Sequence, residues 1–213
     1  MSGQTVTFTA GQTQQTVNVV ICGDLLTEPS QTVNLGLTGA AVGSPGTAVL
    51  TINDTATQFR STASINIYNL PPAVSPYPST ITVSGAPNVV GSMRVSIYDY
   101  SHDFQDNVDL LLVGPQGQEF ILMADAGGLT AQGPVTITFT DTAGAVLPDN
   151  GPLATGASEP TSWVTPVTNF PAPAPAGPYN EPGSAVGGSG TQTLLGNFGG
   201  TNPNGDWSLY ARL

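Results

Sequence analysis

The chain has 213 residues and a formal net charge of −11 at pH 7, and charged residues make up only 8% of it. Its three basic residues, Arg60, Arg94 and Arg212, are too few for the clustered cations that bind nucleic acid. The single cysteine, Cys22, excludes a disulfide within the chain, and no apolar run approaches the roughly 20 residues of a membrane-spanning helix. No basic, apolar leader opens the chain, so we predict no signal peptide within it.

Short segments in which apolar and polar residues alternate occur throughout the chain. They are rich in β-branched and aromatic residues and are bounded by Gly, Pro, Asn or Asp, which is typical of strands separated by turns. The predicted strands lie, in chain order, at 5–9, 16–21, 33–37, 48–52, 65–68, 81–83, 93–97, 108–113, 120–123, 135–139 and 207–210. No segment has the 3.6-residue period of a helix. We therefore predict an all-β protein built as sandwiches or barrels.

The composition changes in the small polar stretch 53–58, which separates two sets of predicted strands. This change predicts one domain at 1–57 and a second at 58–213. Within the second, a Pro-rich stretch at about 141–190 lacks the N–H donors that a sheet ladder needs, so we predict a long loop there. The loop is interpreted either as a rigid surface segment or as a polyproline ligand for an SH3-like partner.

Three stretches of the first domain form an ordered pattern. Residues 6–13 are Val-Thr-Phe-Thr-Ala-Gly-Gln-Thr, residues 31–35 are Gln-Thr-Val-Asn-Leu, and residues 48–54 are Ala-Val-Leu-Thr-Ile-Asn-Asp. Together they resemble the second half of a Calx-beta repeat over residues 3–55, without the family's first strands. The resemblance implies a partial immunoglobulin-like β sandwich.

Ordered motifs also run through the second domain. They are Pro-Ser-Thr-Ile-Thr-Val-Ser-Gly at 78–85, Val-Ser-Ile-Tyr-Asp-Tyr-Ser-His at 95–102, Asp-Leu-Leu-Leu-Val-Gly-Pro-Gln-Gly at 109–117 and Asn-Gly-Asp-Trp-Ser-Leu at 204–209. Over residues 60–213 they resemble the P domain that follows the catalytic domain of furin- and kexin-like proprotein convertases. This resemblance implies a β jelly roll that stabilises or assists a neighbouring catalytic domain.

Asp103, Asp106 and Asp109 are spaced by three residues just before an apolar strand. Three carboxylates so close in sequence repel one another unless water or a cation screens them, and calcium takes loop carboxylates as ligands. The spacing is not that of an EF-hand, which has a Gly at its sixth position. The pattern predicts a calcium site, with a solvated acidic turn as the alternative.

The first domain carries a second set of candidate calcium ligands. The Calx-beta resemblance places Asp24, Glu28 and Asp54 at loop positions where the family holds acidic ligands. Strand-end carboxylates without a metal are the other interpretation.

An enzyme is not predicted. Ser101, His102 and Asp103 are adjacent in sequence, whereas a catalytic triad needs side chains that converge from different elements. The sequence contains no G-x-S-x-G elbow and no P-loop. A hydrolase with paired carboxylates is the weaker alternative.

Tyr98 and Tyr100 are predicted to share one strand face beside Asp99, where they could bind a ligand or pack across the sheet. With the two resemblances, the sequence predicts calcium-binding accessory β modules of a larger secreted or cell-surface bacterial protein, located outside the cell. Their partners would be adjacent domains, such as a subtilisin-like protease. The alternative is an adhesion or carbohydrate-binding module in which the tyrosines and the 141–190 loop bind a glycan or a protein.

Overall fold

The computed structural model describes residues 5–17, 31–39, 42–52, 58–68, 74–129, 131–164, 166–182 and 192–213. The chain divides into two compact units, Met1–Ala56 and Thr57–Leu213, and each is described by itself. Their regular structure is almost entirely β, which confirms the prediction of an all-β protein. Among the described residues, no helix is long and apolar enough to cross a membrane.

The first unit contains one antiparallel hairpin, formed by β1 (Gln31–Gly36) and β2 (Thr47–Ile52). The register pairs Val33 with Leu50 and Leu35 with Ala48, so these apolar residues share one face of the hairpin. The strand predicted at 5–9 is wrong: these residues lie in coil, and the Gln12 N–H donates to the Thr9 carbonyl at 3.0 Å across a turn. Most of the strand predicted at 16–21 falls outside the described residues.

The second unit contains ten strands and one short α-helix among its described residues, besides a 3-10 turn at Gln105–Asn107. They are β3 (Asn66–Ile67), β4 (Val74–Ser75), β5 (Ser79–Val83), β6 (Val95–His102), β7 (Asp109–Val113), β8 (Glu119–Ala124), β9 (Gln132–Phe139), β10 (Gly156–Ser158), β11 (Thr161–Ser162), α1 (Leu194–Phe198) and β12 (Gly205–Arg212).

Two sheets of the second unit form a β sandwich. The larger has the order β11-β8-β7-β12-β5, and the smaller has the order β10-β9-β6. Between them lies a core to which both sheets and α1 contribute. Its members include Tyr100, Leu110, Leu112, Phe120, Leu122, Met123, Ile137, Phe139, Leu194 and Phe198.

The Pro-rich stretch covers the outer face of the larger sheet. Phe170 and Tyr179 are buried against Leu111, Ile121 and Tyr210. The Tyr179 hydroxyl accepts the Phe170 N–H at 3.0 Å and donates to the Pro175 carbonyl at 2.9 Å. The stretch is thus anchored by aromatic side chains, and the short strands β10 and β11 also lie inside the predicted loop.

Helix α1 was not predicted because it has only five residues. Its start is nevertheless well capped: the Thr193 hydroxyl accepts the Gly196 N–H at 2.9 Å, and the Asp141 carboxylate accepts the Leu194 and Leu195 N–H groups at 2.8 and 2.7 Å.

Candidate functional site

Three loops meet at one end of the larger sheet. They are the 3-10 turn at Gln105–Asn107, the turn after β8, and the segment around 148–153. The Asp106 N–H donates to the Gly128 carbonyl at 3.1 Å, and the Gly127 N–H donates to the Pro148 carbonyl at 2.8 Å. These hydrogen bonds hold together loops that are up to about forty residues apart in sequence.

Gln105 and Gly127 fix how closely the loops approach. Gln105 is fully buried, and its Oε1 accepts the Leu153 N–H at 3.3 Å. Gly127 has a φ of 101°, and a Cβ at this position would lie 2.5 Å from Gln105 Oε1. A side chain at position 127 would therefore strain the backbone. It would also displace the Gln105 side-chain amide, which bonds to Leu153 in the third loop.

The meeting loops carry three aspartates, Asp106, Asp125 and Asp149, which we call the acidic loop cluster. Burial raises the pKa of Asp125 above its ordinary value, the charges of Asp106 and Asp149 raise it further, and Arg212 opposes them. Asp125 also has a φ of 49°, a left-handed conformation that Asp tolerates better than most residues. Asp106 and Asp149 are thus each close enough for their charges to act on the Asp125 carboxyl.

Asp109 belongs to a different arrangement beside this cluster. Its Oδ2 accepts from Arg212 Nε at 2.8 Å and Nη2 at 2.5 Å, and its Oδ1 accepts the Asp125 N–H at 3.3 Å. Burial raises the pKa of Asp109 to about 6, although the Arg212 guanidinium favours the ionised form. The Arg212 guanidinium also lies 5.0 Å from the centre of the Phe170 ring.

The predicted ligands Asp103, Asp106 and Asp109 are therefore divided among three environments. Asp106 lies in the acidic loop cluster, Asp109 is paired with Arg212, and Asp103 is exposed. Within the described ranges, no set of three or more His, Cys, Asp and Glu side chains is close enough to hold a metal ion as the loops stand. The other predicted ligands, Asp24, Glu28 and Asp54, lie outside the described residues.

Sequence reasoning missed Asp125 and Asp149 because both come from loops far from 103–109. The signal that could have found them is local. Asp125 precedes Ala126 and two glycines, and Asp149 begins an Asp-Asn-Gly turn. Both patterns mark tight turns at strand ends, where loop carboxylates collect.

Tyr98 and Tyr100 do not share a strand face. β6 carries a bulge between Ile97 and Tyr100, at which Asp99 has a φ of 53°. The extra residue reverses the alternation, leaving Tyr98 45% exposed while Tyr100 is 7% exposed and packs in the core. The prediction of a two-tyrosine surface is therefore wrong, and only Tyr98 is available to a ligand.

His102 lies at the end of β6 in a local turn. Its Nδ1 lies 2.7 Å from the Phe104 carbonyl oxygen and 3.1 Å from the Phe104 amide nitrogen, and its tautomer decides which of the two it bonds. In either tautomer the partner is backbone two residues away, as in a local turn.

No family model matches the chain, and no curated protein and no solved structure matches it. The class that the structure itself defines is an all-β protein whose second unit is a β sandwich.

The pKa of Asp109 predicts a pH dependence of stability in the absence of metal. Because the buried carboxyl, with a pKa of about 6 against an ordinary 3.8, binds its proton more tightly in the folded state, it stabilises the fold most below pH 4. That contribution, at most about 3 kcal/mol, is lost as the pH rises through 6. Urea unfolding in EDTA should therefore find wild-type stability falling relative to Asp109→Asn between pH 4 and 7. Parallel curves for the two proteins would contradict this account.

Proposed function

We propose that this chain provides non-catalytic, calcium-binding accessory β modules of a larger secreted or cell-surface bacterial protein. In that protein it would stabilise or assist a neighbouring domain, such as a subtilisin-like protease. The observation that carries the proposal is the acidic loop cluster, because three loops at one end of the sandwich hold Asp106 and Asp149 where their charges act on Asp125.

The donor chemistry of the cluster fits a hard cation. Calcium takes six to eight oxygen ligands from carboxylates, backbone carbonyls and water. Asp106, Asp125 and Asp149 supply carboxylates from three loops, and the nearby turns supply carbonyls. A bound ion would remove the repulsion and join the loops. Since the carboxylates must move together to meet the ion, we expect affinity in the range of extracellular modules.

The accessory role is supported by where the P-domain-like motifs fall. The four motifs coincide with β5, β6, β7 and β12, three of which are neighbours in the larger sheet. The jelly-roll interpretation of this sandwich, and the Calx-beta interpretation of the first unit with ligands Asp24, Glu28 and Asp54, belong to the same proposal.

A thermal melt of the full chain in EDTA and in a calcium series tests the proposal. Calcium at about a hundred times its dissociation constant adds about 2.7 kcal/mol, which for a chain of this size raises Tm by roughly 5–10 °C. The rise should be lost in Asp106→Asn and Asp125→Asn.

The matched control is Asp99→Asn, which removes one exposed carboxylate outside the cluster at a left-handed position that Asn accepts. Asp24→Asn separates a site in the first unit from one in the second. If millimolar calcium moves no melt, or if Asp99→Asn abolishes the shift as completely as Asp125→Asn does, the calcium proposal fails.

A second candidate is an adhesion or carbohydrate-binding module. It is favoured by the exposed ring of Tyr98, although one face of that ring already carries Arg60 at 4.9 Å. If calcium does not change the stability of the chain, this second candidate is favoured over the calcium proposal.

A further inference from the structure

Among the described residues, β5 is the last strand of the larger sheet, and it pairs with β12 on one side. Within the described part of the chain, residues 79–83 make no backbone hydrogen bond beyond that ladder. Alternate N–H and C=O groups of an edge strand point away from its sheet and can pair with a further strand.

A groove runs along this free edge. Its volume is about 510 Å³, and it is lined by residues 58–63 on one side and by Thr80, Ile81 and Thr82 of β5 on the other. Segment 58–63 thus forms the wall of the groove opposite β5.

Segment 58–63 is held in place by contacts with Tyr98 of β6. Gln58 Nε2 donates to the Tyr98 hydroxyl at 3.3 Å, and the Arg60 guanidinium lies 4.9 Å from the centre of the Tyr98 ring. The Ser61 hydroxyl accepts the Ala63 N–H at 3.2 Å. Because Tyr98 of β6 anchors segment 58–63, the gap between this segment and β5 is part of the folded structure of the unit.

The sequence of β5 contains none of the features that block strand addition. Residues 79–83 are Ser-Thr-Ile-Thr-Val, with no charge, no proline and no bulge. Natural edges are commonly protected by such features, and β-branched side chains favour extended pairing.

The charged residue of the groove indicates what kind of peptide would bind there. Arg60 lines the groove, is exposed, and has no carboxylate within salt-bridge distance among the described residues. In a chain with a net charge of −11, an isolated cation beside an open strand edge favours an acidic group from elsewhere.

We propose that β5 accepts an extended peptide segment of a partner protein as a sixth strand, with an Asp or Glu side chain of that segment paired with Arg60. Main-chain hydrogen bonds to β5 give the affinity, and the Arg60 pair gives the preference, since the Thr80 and Thr82 hydroxyls already bond to Ser208 and Asp206 of β12. This inference goes beyond the calcium proposal and does not depend on it.

Selection of displayed nine-residue peptides against the full chain tests the proposal. The selected peptides should be enriched in Asp or Glu within a β-branched context, and a synthetic copy should bind with micromolar affinity in both EDTA and calcium. Arg60→Glu should weaken that binding tenfold or more, whereas Arg94→Glu, the same charge change at an exposed arginine outside the groove, should change it less than twofold.

A backbone readout distinguishes strand addition from simple charge attraction. Hydrogen exchange should find that the bound peptide protects amides within 79–83. Thr80→Lys, which adds a gatekeeper charge to the edge, should abolish that protection while the melt confirms that the variant is folded. The proposal is overturned if no acidic peptide is selected, if binding leaves these amides unprotected, or if they are protected without peptide in a concentration-dependent dimer.

Discussion

Replacing Arg212 by methionine should lower the free energy of unfolding by about 3–5 kcal/mol at pH 8. The substitution keeps an apolar stem against Phe170 but leaves the buried Asp109 carboxylate without its cation. At pH 5 the loss should be smaller, because Asp109, with its pKa raised to about 6, already holds a proton there. Urea unfolding at the two pH values measures both effects.

Two further variants decide whether the effect belongs to the pair. Arg94→Met removes an exposed arginine and should change stability by less than about 0.5 kcal/mol. The double variant Arg212→Met with Asp109→Leu should recover much of the loss, since removing both partners leaves no buried unpaired charge. A loss at Arg212 that is equal at pH 5 and pH 8 would contradict the assignment.

Phe170→Ala should destabilise the second unit by about 3–5 kcal/mol, as expected for a buried aromatic side chain. Phe170 is 4% exposed, lies edge-to-face with Tyr179 at 5.6 Å, and covers the outer face of β7 and β8. The prediction tests whether the Pro-rich stretch is part of the core, as the packing indicates, or a dispensable surface loop.

The matched control for this prediction is Phe104→Ala. Phe104 is 46% exposed, so the same change of side chain should cost less than about 1 kcal/mol. Chemical denaturation of the two variants compares them directly. Equal, small losses of stability in the two variants would mean that the Pro-rich stretch contributes little to the free energy of folding.

Alternation predicted the strands well where the chain carries long patterns. The run at 110–113 is apolar at successive positions because β7 is covered by the sandwich core on one face and by Phe170 and Tyr179 on the other. The strand was therefore predictable, but the identity of its second cover was not. Prolines 171, 173 and 178 are exposed. It is the aromatic residues near them, Phe170 and Tyr179, that pack against the sheet.

The candidate site was predictable only in part. Asp106 was found from its local acidic pattern, whereas Asp125 and Asp149 reach the same place through hydrogen bonds between distant loops. Asp109 was misjudged because its partner, Arg212, lies 103 residues away at the end of β12. The single extra residue of the bulge at Asp99 likewise reversed the expected direction of Tyr100. Local sequence patterns carry no information about contacts between residues that are far apart in the chain.

The most direct test of the calcium proposal is a calcium titration of the full chain followed by amide chemical shifts. The account predicts saturable changes concentrated at 105–109, 125–128 and 148–151, the three loops that carry the acidic loop cluster, with Asp125→Asn removing them and Asp99→Asn preserving them. Small, non-saturating changes spread over all the exposed carboxylates would contradict it and would leave the cluster as a solvated set of turns.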